Sequence, residues 1–421
     1  MTGNANGCLG ADQCKDIPEL IDILGKDWIN TEVGKYATFR QKYSPTDLWA
    51  HRHPNTSPII PLLYQLYNPD ERRRHQYPIG YWYGNPIVFL SIIAGSIALF
   101  RDYWINLPKS IGKDNIRAQL TKADLFNGFI FELLVADDSK TNRYVDYEII
   151  PQFFNPKSTR GSADIILKKG DIERAIQCKT INPLASAQMS FDMFQYLFGL
   201  IYRLVCDTGY SYKICIELKG KLTVTDIHSI WESSIEPAIS SGIHIPKTTI
   251  NPSYNIKLDR LNIPLTGISK KEVSILFNAE KANLYSEVGA YPSGISGSSK
   301  YNKIALFYIS ASRYEPIEKT ILRVAKQTAK IADVDCPLII AIHLYQGTAL
   351  HSYLNEIAQK VEFKRNINRF FQAPNGRNVE SIDISSNKQV YENRGTNLVA
   401  LRTEGVSLVN PFFENYAIDT S

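Results

Sequence analysis

The sequence is poor in the features that secreted and zinc-stapled proteins depend on. Six cysteines are spread over 421 residues, without the spacing of a disulfide framework. Cys178, Cys206 and Cys215 fall inside apolar runs, which reads as reduced, buried thiols of a cytoplasmic protein. Cys8 and Cys14 have no histidine or further cysteine close by in sequence, which argues against zinc there. The seven histidines show no zinc spacing either, and His51-Arg52-His53 lies in a proline-rich stretch. The opening MTGNANGCLGADQCKD lacks the basic and then apolar order of a secretory signal. There is no repeat at a fixed period and no low-complexity tract. The uncharged run 86–100, PIVFLSIIAGSIALF, spans only about 22 Å as a helix. A bilayer core needs about 30 Å, so this run reads as a buried helix and no membrane partner is expected.

What is present is the balance of a globular protein: 44% hydrophobic and 21% charged residues. The length exceeds one ordinary core, so two or three units are expected. The net charge of +5 suits a polyanionic partner without identifying one.

Residues 1–120, cut by several prolines, read as a mainly helical N-terminal region. The texture changes at 122. ADLFNGFIFELLVA sets Leu125, Phe129, Leu133 and Ala136 on one helical face. Three strand-like runs follow: YVDYEIIPQFF, SADIILKKG and ERAIQCKTI, the last two joined through Gly170-Asp171. ASAQMSFDMFQYLFGLIYRLV has helical periodicity, and YKICIEL reads as a fourth strand. Residues 121–250 are thus expected to form an αβββαβ core on a mixed sheet. Residues 251–303 are expected to be a linker and irregular segment, and 304–421 a further C-terminal α/β unit.

In ERAIQCKT as a strand, Ile176 and Cys178 point one way while Gln177 and Lys179 point the other. Asp164 is a lone acid among apolar neighbours, thirteen residues before Gln177 and so able to return beside it through the Gly170 turn. Glu132 adds a second carboxylate from the helix. Buried acids and ammonium groups are costly unless paired or bound to an ion, so these positions are functional candidates. Cys178 sits on the buried side of its strand with no histidine near in sequence, so packing outweighs a thiol nucleophile there.

The helix with Glu132, the strand with Asp164 and the strand with Gln177-Cys178-Lys179 together resemble the PD-(D/E)XK nucleases of restriction-endonuclease-like fold. The resemblance covers residues 122–218. It implies a Mg²⁺ site, with Mn²⁺ as a substitute, made by Asp164, Gln177, the Cys178 carbonyl and Glu132, with Lys179 orienting the attacking water. Two departures stand out: Ala163 occupies the usual proline position, and Gln177 replaces an acid, as in Mrr-like branches. The implied activity is DNA endonuclease, in restriction or defence against foreign DNA, on a duplex and with two chains cutting two strands. Lys157, Arg160, Lys364, Arg365 and Arg369 are the candidate nucleic-acid contacts. The competing expectation is an inactive nuclease fold that only binds DNA or scaffolds.

Overall fold

The computed structural model describes residues 15–41, 57–68, 86–155, 163–181, 191–220, 222, 224–242, 247–279, 285–292, 300–311, 316–332, 334–344, 357–394 and 396–413. The chain divides into two compact units. One comprises residues 1–46, 50–181 and 317–421, and the other residues 47–49 and 182–316. The first unit is therefore interrupted, and the second is inserted into it. Both are α/β with mixed sheets.

The first unit begins with helices α1 (Ile17–Leu24), α2 (Lys26–Gln41), α3 (Ile59–Tyr67), α4 (Pro86–Leu99), α5 (Arg101–Trp104), α6 (Lys113–Thr121) and α7 (Ala123–Asp138). The run expected to be a buried helix is α4, with Phe89, Leu90, Ile93, Ala94 and Ile97 in the core. Among the described residues no helix is long and apolar enough to cross a membrane. Ser96 of α4 donates its hydroxyl to Asp137 of α7. Trp104 Nε1 donates to the Ile97 carbonyl at 3.1 Å, closing the bend after α4.

The sheet of this unit runs β1 (Glu148–Pro151), β2 (Ile165–Lys169), β3 (Ile172–Ile181), β9 (Leu338–Leu344), β10 (Val379–Arg394) and β11 (Thr396–Val409). The β1–β2, β2–β3 and β10–β11 pairs are antiparallel, and β3–β9 and β9–β10 are parallel. A two-residue turn links β2 and β3, and Gly170 at φ +60° supplies the left-handed conformation it needs. Helices cover both faces. On one, Ile165, Leu167, Ile176, Cys178, Ile339 and Ala341 join the N-terminal helical core. On the other, Ala175, Ile340, Ile342 and Ile382 pack against α12 (Ile317–Ile331) and α13 (Val361–Gln372) through Ile321, Ala325, Phe363, Ile367, Phe370 and Phe371.

The second unit holds α8 (Phe191–Thr208), β4 (Ser211–Leu218), α9 (Val224–Ile230), α10 (Glu236–Ser240), β5 (Lys247–Ile250), β6 (Tyr254–Leu261), α11 (Lys270–Asn278), β7 (Tyr285–Pro292) and β8 (Tyr301–Ala311). Its sheet order is β5-β6-β4-β8-β7. Here the chain departs from the order its sequence suggests. YKICIEL, expected as the fourth strand of the 121–250 core, is β4 and pairs in this separate sheet. The strand beside β3 is β9, from the region expected to be a C-terminal unit of its own. The stretch 251–303, expected to be a linker and irregular segment, holds β6, α11 and β7. The reason is burial. All seven residues of β9 are buried, as a central strand covered on both faces requires, whereas β4 alternates with half-exposed Lys213 and Cys215 and exposed Glu217.

Candidate active site

β2 and β3 part at one point, and the site lies there. Their ladder ends with Ile165 opposite Ile176. Asp164, just beyond, is held by its main chain: its N–H donates to Ile176 at 3.0 Å, and its carbonyl accepts from Gln152 at 2.8 Å. The Asp164 carboxylate then does what the β2 backbone would have done, accepting the Cys178 N–H at 2.6 Å. The Gln177 amide also donates to it. One carboxylate thus satisfies a donor that the diverging strands leave open, and it ties β2 to the Gln177-Cys178-Lys179 segment.

Gln177 is only 5% exposed. Its Nε2 is engaged by Asp164, while its Oε1 is buried with no hydrogen-bond partner among the described residues. Such an acceptor costs free energy, on the order of 1–3 kcal/mol, until something donates to it or binds it.

Glu132 reaches the same place from α7. Burial first, and then the charge of Asp164, push its carboxyl up to about 8, against the pull of Lys179. Burial likewise raises Asp164 to about 6, opposed by the Cys178 N–H and by Lys179. The two acids therefore sense each other and the same ammonium group. Gln177 and Asp164 are in direct contact, and Glu132 and Lys179 lie within electrostatic reach of Asp164.

The Cys178 thiol is fully buried among Ile176, Ile339 and Ala341, and burial drives it well above the ordinary thiol range. It is core, as its strand position implied. Cys206, Cys215 and Cys336 are in no disulfide and only half-buried, so the expectation of buried thiols holds for Cys178 alone among the four described. Leu125, assigned to the buried face of its helix, is exposed. Lys157 and Arg160 lie outside the described residues, as do Cys8, Cys14, His51 and His53. Lys364, Arg365 and Arg369 sit on the exposed side of α13, away from its buried Phe363 and Ile367.

No family model, curated protein or solved structure matches this chain. What the site can do rests on its own geometry. Among the described residues no three His, Cys, Asp or Glu side chains gather. The centre instead offers two carboxylates, one carboxamide oxygen and one ammonium group. A cavity of about 510 Å³ opens between α7 and the sheet, and none of these four side chains lines it. Phe131 and Ile176, the chain neighbours of Glu132 and Gln177, line it, with His343, Arg143, Asp383 and Ser385 farther along. Arg143 follows a π-helical turn at the end of α7 and pairs with Asp383 at 2.6 Å. His343 is buried against Phe131, with Nδ1 3.0 Å from the Ser385 hydroxyl, and burial lowers it to about 3. Sequence spacing alone gave no hint of this wall, because its residues come from three separate stretches.

Proposed function

We propose that this protein is a metal-dependent DNA endonuclease of the PD-(D/E)XK type, with its centre at Glu132, Asp164, Gln177 and Lys179. One observation carries the reading. Where β2 and β3 part, a buried carboxylate, a buried carboxamide with an orphaned oxygen, a second raised carboxyl and a lysine share one locus. A fold has no packing reason to assemble that set. A phosphodiesterase has a chemical one.

The donors suit a small hard cation. Asp164, Gln177 Oε1, the Cys178 carbonyl and Glu132 are the oxygens that would hold Mg²⁺ or Mn²⁺, and a divalent ion would let both carboxyls lose their protons. A bound Mg²⁺ supplies charge stabilisation on the phosphate and a more acidic water. The chain supplies the rest. Lys179 orients the attacking water and compensates negative charge growing on the phosphate. Glu132, once an ion had displaced its proton, would act on that water through the ion's shell. The antiparallel β1-β2-β3 run with β9 parallel to β3 supports this reading, since it is the strand arrangement expected of a restriction-endonuclease-like core, here with a unit inserted in one connection. Restriction or defence is the biological role that fits such a nuclease, on fold-level analogy. A homodimer would give one centre per strand.

A second reading has its own support. The Gln177 amide donates to Asp164, an arrangement that also stabilises a site without an ion, as in a nuclease fold that only binds DNA. Supercoiled plasmid separates the two. The wild type should nick it in Mg²⁺ or Mn²⁺ and stop with chelator. Lys179→Ala should lose at least about a hundredfold in rate, as expected when a transition-state contact is removed, while keeping its fold by circular dichroism. Undiminished nicking by that variant excludes the assigned role, and DNA binding without cleavage in either metal leaves the scaffold reading.

A further inference from the structure

The positive charge of this chain is concentrated. α12 exposes Lys319, Arg323, Lys326 and Lys330, spaced so that all four lie along one face of the helix. α13, packed against the same side of the first unit's sheet, exposes Lys364, Arg365 and Arg369. With Lys360 these two stretches carry eight cations against two acids, Glu318 and Glu362, and Glu318 is already paired with Lys360 at 2.9 Å. Their surplus exceeds the net +5 of the whole chain, so the remainder is close to neutral.

The pattern runs against helix stability. Lys319/Arg323, Lys326/Lys330, Lys360/Lys364 and Arg365/Arg369 are all like-charge neighbours four residues apart, where opposite signs would stabilise the helix. Solubility alone does not require charge of one sign in register along two neighbouring helices. The apolar faces of both helices are spent on the sheet, through Ile317, Ile321, Ala325, Phe363, Ile367 and Phe370. Between the exposed cations lie polar Gln327 and Asn368, and the large apolar side chains exposed here are two, Ile331 at the end of α12 and Val361 at the start of α13. Insertion into a lipid surface would need an apolar face that is already used.

We infer that the exposed face of α12 and α13 is a docking surface for the phosphate backbone of a DNA duplex. The Lys319–Lys330 row extends about 16 Å along its helix, the length over which a strand presents roughly five phosphates. Asn, Gln, Lys and Arg are the side chains that commonly bond phosphate oxygens, so the surface positions a duplex without reading its sequence. This inference rests on the nuclease reading only for the choice of DNA as the polyanion.

The test is fluorescence anisotropy with a mixed-sequence duplex of about 20 base pairs, in chelator, over a series of salt concentrations. One variant combines Lys319→Gln, Lys326→Gln, Lys330→Gln, Lys364→Gln, Arg365→Gln and Arg369→Gln. Single Lys326→Gln and Arg365→Gln variants guard against a multiple variant that fails to fold. The wild type should bind with an affinity falling steeply with salt. Each neutralised contact should flatten the log–log slope by about 0.9, and the sixfold variant should lose at least tenfold in affinity at low salt. Unchanged affinity and slope in every variant would overturn the surface, as would stronger capture by vesicles containing phosphatidylserine than by the duplex. Wild-type binding with a steep slope but no cleavage in Mg²⁺ would remove the nuclease and keep the surface. Cleavage with a slope indifferent to the substitutions would do the reverse.

Discussion

A carboxyl group held among apolar side chains keeps its proton until something positive replaces it. Glu132, pushed up to about 8, is in that state at neutral pH, whereas Asp164, pushed up to about 6 and bonded by the Cys178 N–H, sheds its proton earlier. Both values lie above those of the unfolded chain, so the folded state binds the extra protons. Their contribution to stability is complete below the unfolded values and fades as pH rises through 6 and then 8, by up to about 1.4 kcal/mol per pH unit for each proton held. Metal-free protein should therefore unfold at lower urea concentrations at pH 8 than at pH 6.5, and Glu132→Gln should remove most of that slope. Stability that stays level over this interval in the wild type would mean the carboxyl is ionised throughout. At this scale the sequence was readable where chemistry and periodicity coincide. Asp164, Gln177 and Lys179 stand out because polar groups interrupt apolar strands, and Glu132 because an acid sits between Phe131 and Leu133. The bond from the Cys178 N–H to Asp164 was not readable, because it depends on where the ladder stops, and no local pattern encodes that.

Helices and strands carry a second kind of information, in which order along the chain can mislead. Elements close in sequence often share a core, and on that ground YKICIEL is expected as the fourth strand of the 121–250 core. The stronger signal was composition: PLIIAIHL has no exposed face to offer and must be central, while YKICIEL alternates. The basic row of α12 stands in the sequence as cations at 319, 323, 326 and 330, more widely spaced than those of 360–371. Its energetic signature gives a direct check. Lys326→Glu would convert a repulsive neighbour of Lys330 into an attractive one and should raise stability by several tenths of a kcal/mol. The same change should weaken DNA binding. Gain in one with loss in the other marks a surface kept for a partner rather than for the fold, and a loss of stability in Lys326→Glu would show that the stripe serves the fold.

For the molecule as a whole, the division into two units with separate cores predicts two heat-absorption peaks in calorimetry rather than one. Mg²⁺ should move only the peak of the unit that contains Glu132 and Asp164, by the linkage of a ligand to the state that binds it. A single transition, or two that shift together, would show that the units melt as one. The insertion also governs the order of assembly. Ala175 of β3 must find Leu338 of β9, and the whole second unit is synthesised between them. At ordinary translation speeds the edge of β3 that carries Gln177 waits on the order of ten to thirty seconds for its neighbour. During that interval an apolar strand stands open on the ribosome while the inserted unit, whose pairings are all internal, is free to finish first. Newborn copies of this chain are thus most exposed to mispairing and to chaperone capture at the segment that carries Gln177 and Lys179.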